Sequence, residues 1–235
     1  MGQFLFSKDE MQTLKVLPEV SDTRKYKGML IPKELIIPHF TDGPFDIPLL
    51  SPYDGNLPDK LVHFTRLSTQ KGNLCNSGIS LFMDDELQNY LWNNPSYYLS
   101  RLKYAQCVMG LDFSLYVEYD FSANLWNIYR NRLLSYYYQV NGVGFIPTAC
   151  FGNSNTFSYC FAGLPENSPI AINHSVIGNN PYMKQLIRLG VEELVKQKHP
   201  NPLIIYGFPL DFEVPVQVLY YESNIQRLRQ LKKVS

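Results

Sequence analysis

Charge is scarce in this sequence, and neither sign prevails. Only 18% of the 235 residues are charged, 21 basic against 21 acidic. No net field therefore draws the chain onto nucleic acid or an anionic membrane. Long apolar runs are missing too. None approaches the ~20 residues of a membrane span, and no apolar signal-peptide core follows Met1. The expectation is a protein of the cytoplasm without a membrane partner. There, the sequon Asn173-His-Ser175 carries no meaning. Cysteines number four: Cys75, Cys107, Cys150 and Cys160. None forms a C-x-x-C pair and no Cys/His group has zinc spacing, so free buried thiols are expected. Several reaction signatures are absent as well. There is no H-x-H pair, no H-E-x-x-H, no G-x-S-x-G and no G-x-x-x-x-G-K phosphate loop.

Apolar residues are plentiful at 45%, with 17 Tyr and 14 Phe. That is enough for a full core, and the length suits one large domain. Residues 1–60 stand apart. Pro18, Pro32, Pro38, Pro44, Pro48, Pro52 and Pro58 punctuate them, with Asp42-Gly43 and Asp54-Gly55 as turn signals. They read as an irregular arm or cap on a single α/β domain spanning 61–235.

From Leu61 onward, apolar runs alternate with helical patterns. Strands are expected over 61–66, 79–82, 107–111, 143–147, 169–173, 203–206 and 214–220. Helices are expected after Asp84-Asp85, broken at Pro95, and from Asp120 to Asn141-Gly142. A short helix is expected over 156–162, and another from Asn180-Pro181 to His199-Pro200 whose buried stripe includes Met183, Leu186, Ile187, Val191, Leu194 and Val195. Ser223 caps a terminal helix carrying Arg227, Arg229, Lys232 and Lys233. Cations near a helix C-terminus suit the macrodipole, which explains them without DNA. Strands apolar throughout imply a mostly parallel sheet covered by helices. The architecture expected is TIM-barrel-like, whether complete, incomplete or distorted, with an open doubly wound sheet as the alternative.

Chemistry concentrates at one point. Gly110-Leu-Asp-Phe-Ser-Leu-Tyr116 follows an apolar strand and delivers Asp112, Ser114 and Tyr116 to its carboxyl end, the rim where α/β proteins place their sites. Asp112 is a candidate general base or ligand acceptor, or else a rim carboxylate pairing with Arg130. In an extended segment Ser114 and Tyr116 share its side. Asn173 and His174 end another strand, and His174 is the best placed of four histidines for proton transfer. Arg130 is a candidate for anion recognition, or half of a structural ion pair. Asn153 and Ser154 open a helix, as an anion cradle or as plain caps. A divalent cation held by Asp84-Asp85 with Asp112 is the one cofactor suggested, and capping competes for those carboxylates.

Five segments in order carry a resemblance: Leu91-Trp-Asn-Asn-Pro95, Leu111-Asp-Phe-Ser-Leu-Tyr116, Trp126-Asn-Ile-Tyr-Arg130, Ile146-Pro-Thr148 and Phe157-Ser-Tyr-Cys-Phe-Ala-Gly163. Together they resemble an uncharacterised bacterial and phage family, the domain of unknown function DUF4417, over 61–206. The resemblance implies a mobile-element or phage protein in a host bacterial cell and brings no established activity. Met109-Gly110 replaces the family's Ser-Pro. Cys150-Phe-Gly-Asn-Ser154 stands where the family has a Trp and acidic residues. Three functions follow. One is an enzyme acting on a small polar or phosphorylated substrate with Asp112, His174 and Tyr116 as catalytic groups. Another is a nucleic-acid-binding replication accessory. The third is a structural or interaction protein.

Overall fold

A computed structural model describes residues 14–15, 30–67, 74, 76–176 and 180–234. The arm contributes a small antiparallel ribbon. Its strands are β1 (Leu14–Lys15), β2 (His39–Asp42) and β3 (Ile47–Pro48). This ribbon has no local signal, because Pro and turn residues interrupt any periodic pattern. Leu35, Ile47 and Leu50 are nonetheless buried, so the arm packs closely on the body.

Seven parallel strands form that body: β4 (Lys60–His63), β5 (Ser77–Ser80), β6 (Cys107–Gly110), β7 (Phe145–Pro147), β8 (Ile170–His174), β9 (Leu203–Gly207) and β10 (Val218–Tyr221). β4 to β7 make one ladder and β8 to β10 another. A parallel bridge between Thr148 and Ala171 joins the two, with Ala149 N–H donating to Ala171 O at 2.8 Å. Strand order follows chain order throughout. The reversal that defines a doubly wound sheet is absent among the described residues.

The helices are α1 (Asp85–Asn93), α2 (Pro95–Leu102), α3 (Phe121–Val140), α4 (Pro181–Lys198) and α5 (Asn224–Val234). Each boundary has a local cause. Pro95 opens α2 at its first turn, where a missing N–H costs nothing. Asn180 accepts from Tyr182 N–H at 3.0 Å to cap α4, and His199 ends it in the left-handed conformation. Ser223 and Gln226 bond each other's backbone N–H reciprocally, a capping box for α5.

The sheet is apolar on both faces, as parallel sheets must be. Outward, Ile79, Val108 and Phe145 meet Leu91, Leu102, Leu133, Leu134 and Tyr138 of the helices. Ile170, Ile172, Leu203 and Ile205 meet Val191, Leu194 and Val195 of α4. Inward, Leu61, Cys107, Met109, Ile146, Ala171, Ile204 and Tyr206 form one cluster with Phe82, and Leu219 and Tyr221 pack on it. Phe82 and Tyr206 stack with centroids 4.5 Å apart, and the Tyr221 hydroxyl donates to Pro58 O at 2.6 Å. No ladder joins β4 to β10 among the described residues, so the barrel closure that the sequence suggested is not found.

Other expectations need correction. The strand expected over 214–220 is only Val218–Tyr221. The short helix expected at 156–162 is a 3-10 turn, Ser154–Thr156, followed by successive turns. Met183 is 41% exposed rather than part of the stripe of α4, which packs on the core from Ile187 onward. Cys107, Cys150 and Cys160 are free thiols. Cys75 and the side chains of Lys232 and Lys233 lie outside the described residues. No helix among the described residues is long and apolar enough to cross a membrane.

Candidate functional site

β6 ends in two residues with unusual backbone. Gly110 has φ 129 and Leu111 φ 58. A Cβ on Gly110 would stand 2.8 Å from Leu81 Cβ, so glycine is required there on two counts. Leu111 is a fully buried non-glycine in the left-handed region, a conformation of order 1–3 kcal/mol above its alternatives that persists only where the surroundings dictate it. The expected strand therefore stops at Gly110, and 111–116 is not the regular extended segment the sequence suggested.

The surroundings that dictate it are side chains. Asp112 N–H donates to Gln88 Oε1 at 2.8 Å, and Ser114 N–H to Asp85 Oδ1 at 3.1 Å, both on α1. From α3, Asn131 accepts from Phe113 N–H at 2.9 Å and donates to Phe113 O at 3.2 Å. Asn127 donates to Ser114 O at 2.7 Å. Asn124 accepts from Tyr116 N–H at 3.0 Å and donates to Tyr116 O at 2.8 Å. Three buried asparagines one helical turn apart thus pair with this segment as a neighbouring strand would. The spacing Asn124, Asn127, Asn131 was in plain view in the sequence. Reading α3 by its apolar stripe alone hid it.

Asp112 is the centre of the arrangement. Its Oδ2 accepts from Asn173 Nδ2 at 2.7 Å, and its Oδ1 is buried without a protein partner. Burial pushes its carboxyl up to about 7, the Asn173 hydrogen bond works against this, and the Asp85 charge adds to it. Asn173 is itself held, its Oδ1 accepting from Ser175 N–H at 3.1 Å and from Ser175 Oγ at 2.6 Å. A buried carboxyl that changes charge near neutrality, at a strand's carboxyl end and aimed by a fixed amide, can accept or give a proton.

The other candidates fall in different places. His174 follows Asn173 in an extended strand and so takes the opposite face. Its Nδ1 is 2.6 Å from Phe208 O. Ser114 Oγ donates at 3.2 Å to Oδ1 of Asp85, whose charge in turn acts on Asp112. Tyr116 is 41% exposed and lies against Tyr119, with centroids 4.5 Å apart. Arg130 donates to Asn89 Oδ1 at 2.8 Å and to Asn127 Oδ1, and stacks 3.7 Å over the Phe113 ring. It makes no ion pair among the described residues. Asn153 caps the turn that holds Ser154, accepting from Asn155 N–H at 3.1 Å. No group of three or more His, Cys, Asp or Glu is arranged to hold a metal ion among the described residues.

Two residues outside the candidate set also hold defined places. His63 pairs in register with Ser80 on the inner face, at the carboxyl end of β4. Its Nε2 lies 3.0 Å from Phe82 O, and burial holds its pKa below the usual value. Its position two residues after the inward Leu61 was the available signal. Arg132, 1% exposed, donates from Nε to Ala162 O at 2.9 Å and from its two terminal nitrogens to Thr148 O and Cys160 O, each at 3.1 Å. It fastens the turns after β7 to α3.

A family described as a domain of unknown function, DUF4417, matches residues 39–222. The Gene 1 protein of Mycobacterium phage L5 is 36% identical over 129 residues, 55% of this chain and 56% of that protein. The Gene 1 protein of Mycobacterium phage D29 is 34% identical over 129 residues, 55% of this chain and 48% of that protein. The chain thus matches about half the length of these curated relatives. No solved structure matches it.

Proposed function

The chain belongs to the DUF4417 family, and for this relative of phage proteins we propose an enzymatic role at the carboxyl-end rim. Its substrate is a small polar molecule, and Asp112 is the proton-transfer group. One observation carries the reading: the buried Asp112 carboxyl, poised at about 7, with one oxygen bound to Asn173 and the other unpartnered. Asn173 aims the carboxyl. Asp85 and Ser114 set the local charge and anchor the segment.

An incomplete barrel of seven strands accompanies this reading. Sequential strand order, the single inner cluster and the contact from Tyr221 to Pro58 support it. Residues 61–235 are its single domain, with 1–60 as the cap. A phosphorylated substrate has less behind it. Arg130 spends both terminal nitrogens on asparagines, leaving only a buried Nε without a partner, and Arg132 is bound to three carbonyls, while Asp112 and Asp85 repel an anion.

A thermal-shift screen of the purified chain tests the proposal. The probes are sugars, nucleosides, their phosphates, magnesium ions and short single-stranded DNA, against wild type and Asp112→Asn. A small polar probe should stabilise the wild type and leave the variant unmoved. Stabilisation by DNA alone, fading with salt, would contradict the proposal and favour a nucleic-acid accessory.

A further inference from the structure

The inner face carries more oxygen at its carboxyl end than its hydrogen bonds use. Ser80 Oγ and Thr148 Oγ1, in residues 0% and 1% exposed, have no partner, and neither has Asp112 Oδ1. Asn224 Oδ1 is a further such atom, next to the Tyr206 hydroxyl that accepts from Asn224 N–H at 2.9 Å.

These groups share one face and climb it towards the carboxyl end: Ser80 is in register with Met109 and Ile146, Thr148 lies two residues beyond Ile146, and Asn173 two residues beyond Ala171, the partner of Thr148. Ile79 and Leu81 point to the helices, so Ser80 between them points inward. Thr148 bridges to Ala171, an inner residue, and Asn173 stands two residues further on the same face. Asn173 binds Asp112 and pairs in register with Tyr206. Successive strands β5 to β9 thus each present a polar group at this end of the face.

A buried oxygen left without a partner costs of order 1–3 kcal/mol. Folding alone would favour Ala at position 80 and Val at position 148, so each hydroxyl calls for a partner from outside the chain, a ligand or a bound water. We propose that Ser80, Thr148 and Asp112 Oδ1 form the subsite for a neutral, hydroxyl-bearing small molecule, a sugar or nucleoside rather than its phosphate ester. The proposal rests on reading this rim as a ligand site and adds the ligand class. A serine or threonine hydroxyl both gives and accepts, which matches a ligand hydroxyl. Asp112 accepts from a second one.

Calorimetric titration of the full chain with ribose, glucose, uridine and the monophosphate of each provides the test, on wild type, Ser80→Ala, Thr148→Val and Asp112→Asn. At least one neutral probe should bind wild type, and adding its phosphate should not tighten it. Ser80→Ala and Thr148→Val should each weaken that probe about tenfold, while raising the thermal midpoint by about 2–4 °C as an unsatisfied group is removed. A fall in midpoint in both variants would mean that the hydroxyls serve the fold, and would overturn the subsite. Binding confined to phosphates would overturn it equally. Binding lost in Asp112→Asn but intact in both hydroxyl variants would overturn the subsite and leave the rim reading standing. Silence from every probe would overturn both.

Discussion

At the scale of single residues, Asp112 makes a testable demand on pH. Its carboxyl stands at about 7 in the fold against 3.8 when free. Between those values the folded state holds a proton that the unfolded chain releases. The stability contributed by the protonated group is therefore complete below about pH 4 and lost as pH rises to about 7. At about 1.4 kcal/mol per unit this amounts to a few kcal/mol. Urea melts of wild type and Asp112→Asn across that range should show wild type losing ground to the variant as pH rises. Arg132 makes a different demand. Arg132→Lys keeps the charge but cannot reach Ala162 O, Thr148 O and Cys160 O together, and buried carbonyls left unpaired should cost about 3 kcal/mol. The urea midpoint should fall with an unchanged slope. Asp112 could be singled out in the sequence by its place just beyond an apolar strand, although capping and pairing with Arg130 competed for it there. For Arg132, as for Arg130, the helix pattern suggests a buried arginine facing a carboxylate or an anion; that its partners are three backbone carbonyls has no local signal, because they lie 16 to 30 residues away.

At the scale of elements, α3 fixes the segment 112–116. Asn131 is fully buried and meets both polar groups of the Phe113 backbone. Asn131→Ala should destabilise the chain by about 1–3 kcal/mol, and Asn131→Asp should not rescue it, because a carboxylate cannot donate to Phe113 O. Chemical denaturation of the two variants checks this. α4 offers a contest between two effects. Alanine at position 190 should gain about 1 kcal/mol in helix propensity. Its Cβ, however, would clash with the Phe151 ring, and overpacking of this kind costs about 1–3 kcal/mol. Gly190→Ala should therefore lower the thermal midpoint, and a rise would show that the ring yields freely. Element existence was legible here: all seven strands and the breaks at Pro95, Asn141-Gly142 and His199-Pro200 follow from periodicity and caps. Termini were not, because positive φ at Gly110 and Leu111 and the ribbon in the arm depend on contacts distant in sequence.

At the scale of the whole molecule, two parallel ladders joined by one bridge carry an apolar core on each face, and the face lined by Leu61, Met109 and Ile146 turns polar at its carboxyl end. Apolar runs fix that strands are parallel and doubly covered. They say little of how the first and last strands meet, which depends on twist accumulated over the sheet. The juxtaposition of Asp112 with Asn173, 61 residues apart, was likewise beyond local pattern, although both were placed on the rim by their strand ends. That juxtaposition carries the functional reading. Its most direct test is a carbon-13 NMR titration of the Asp112 side-chain carboxyl, assigned by comparison with Asp112→Asn. An apparent pKa near 7 is expected, about three units above a free carboxylate. A value near 4 or below would mean that the carboxyl is solvated or paired, and would contradict a proton-transfer group at this rim.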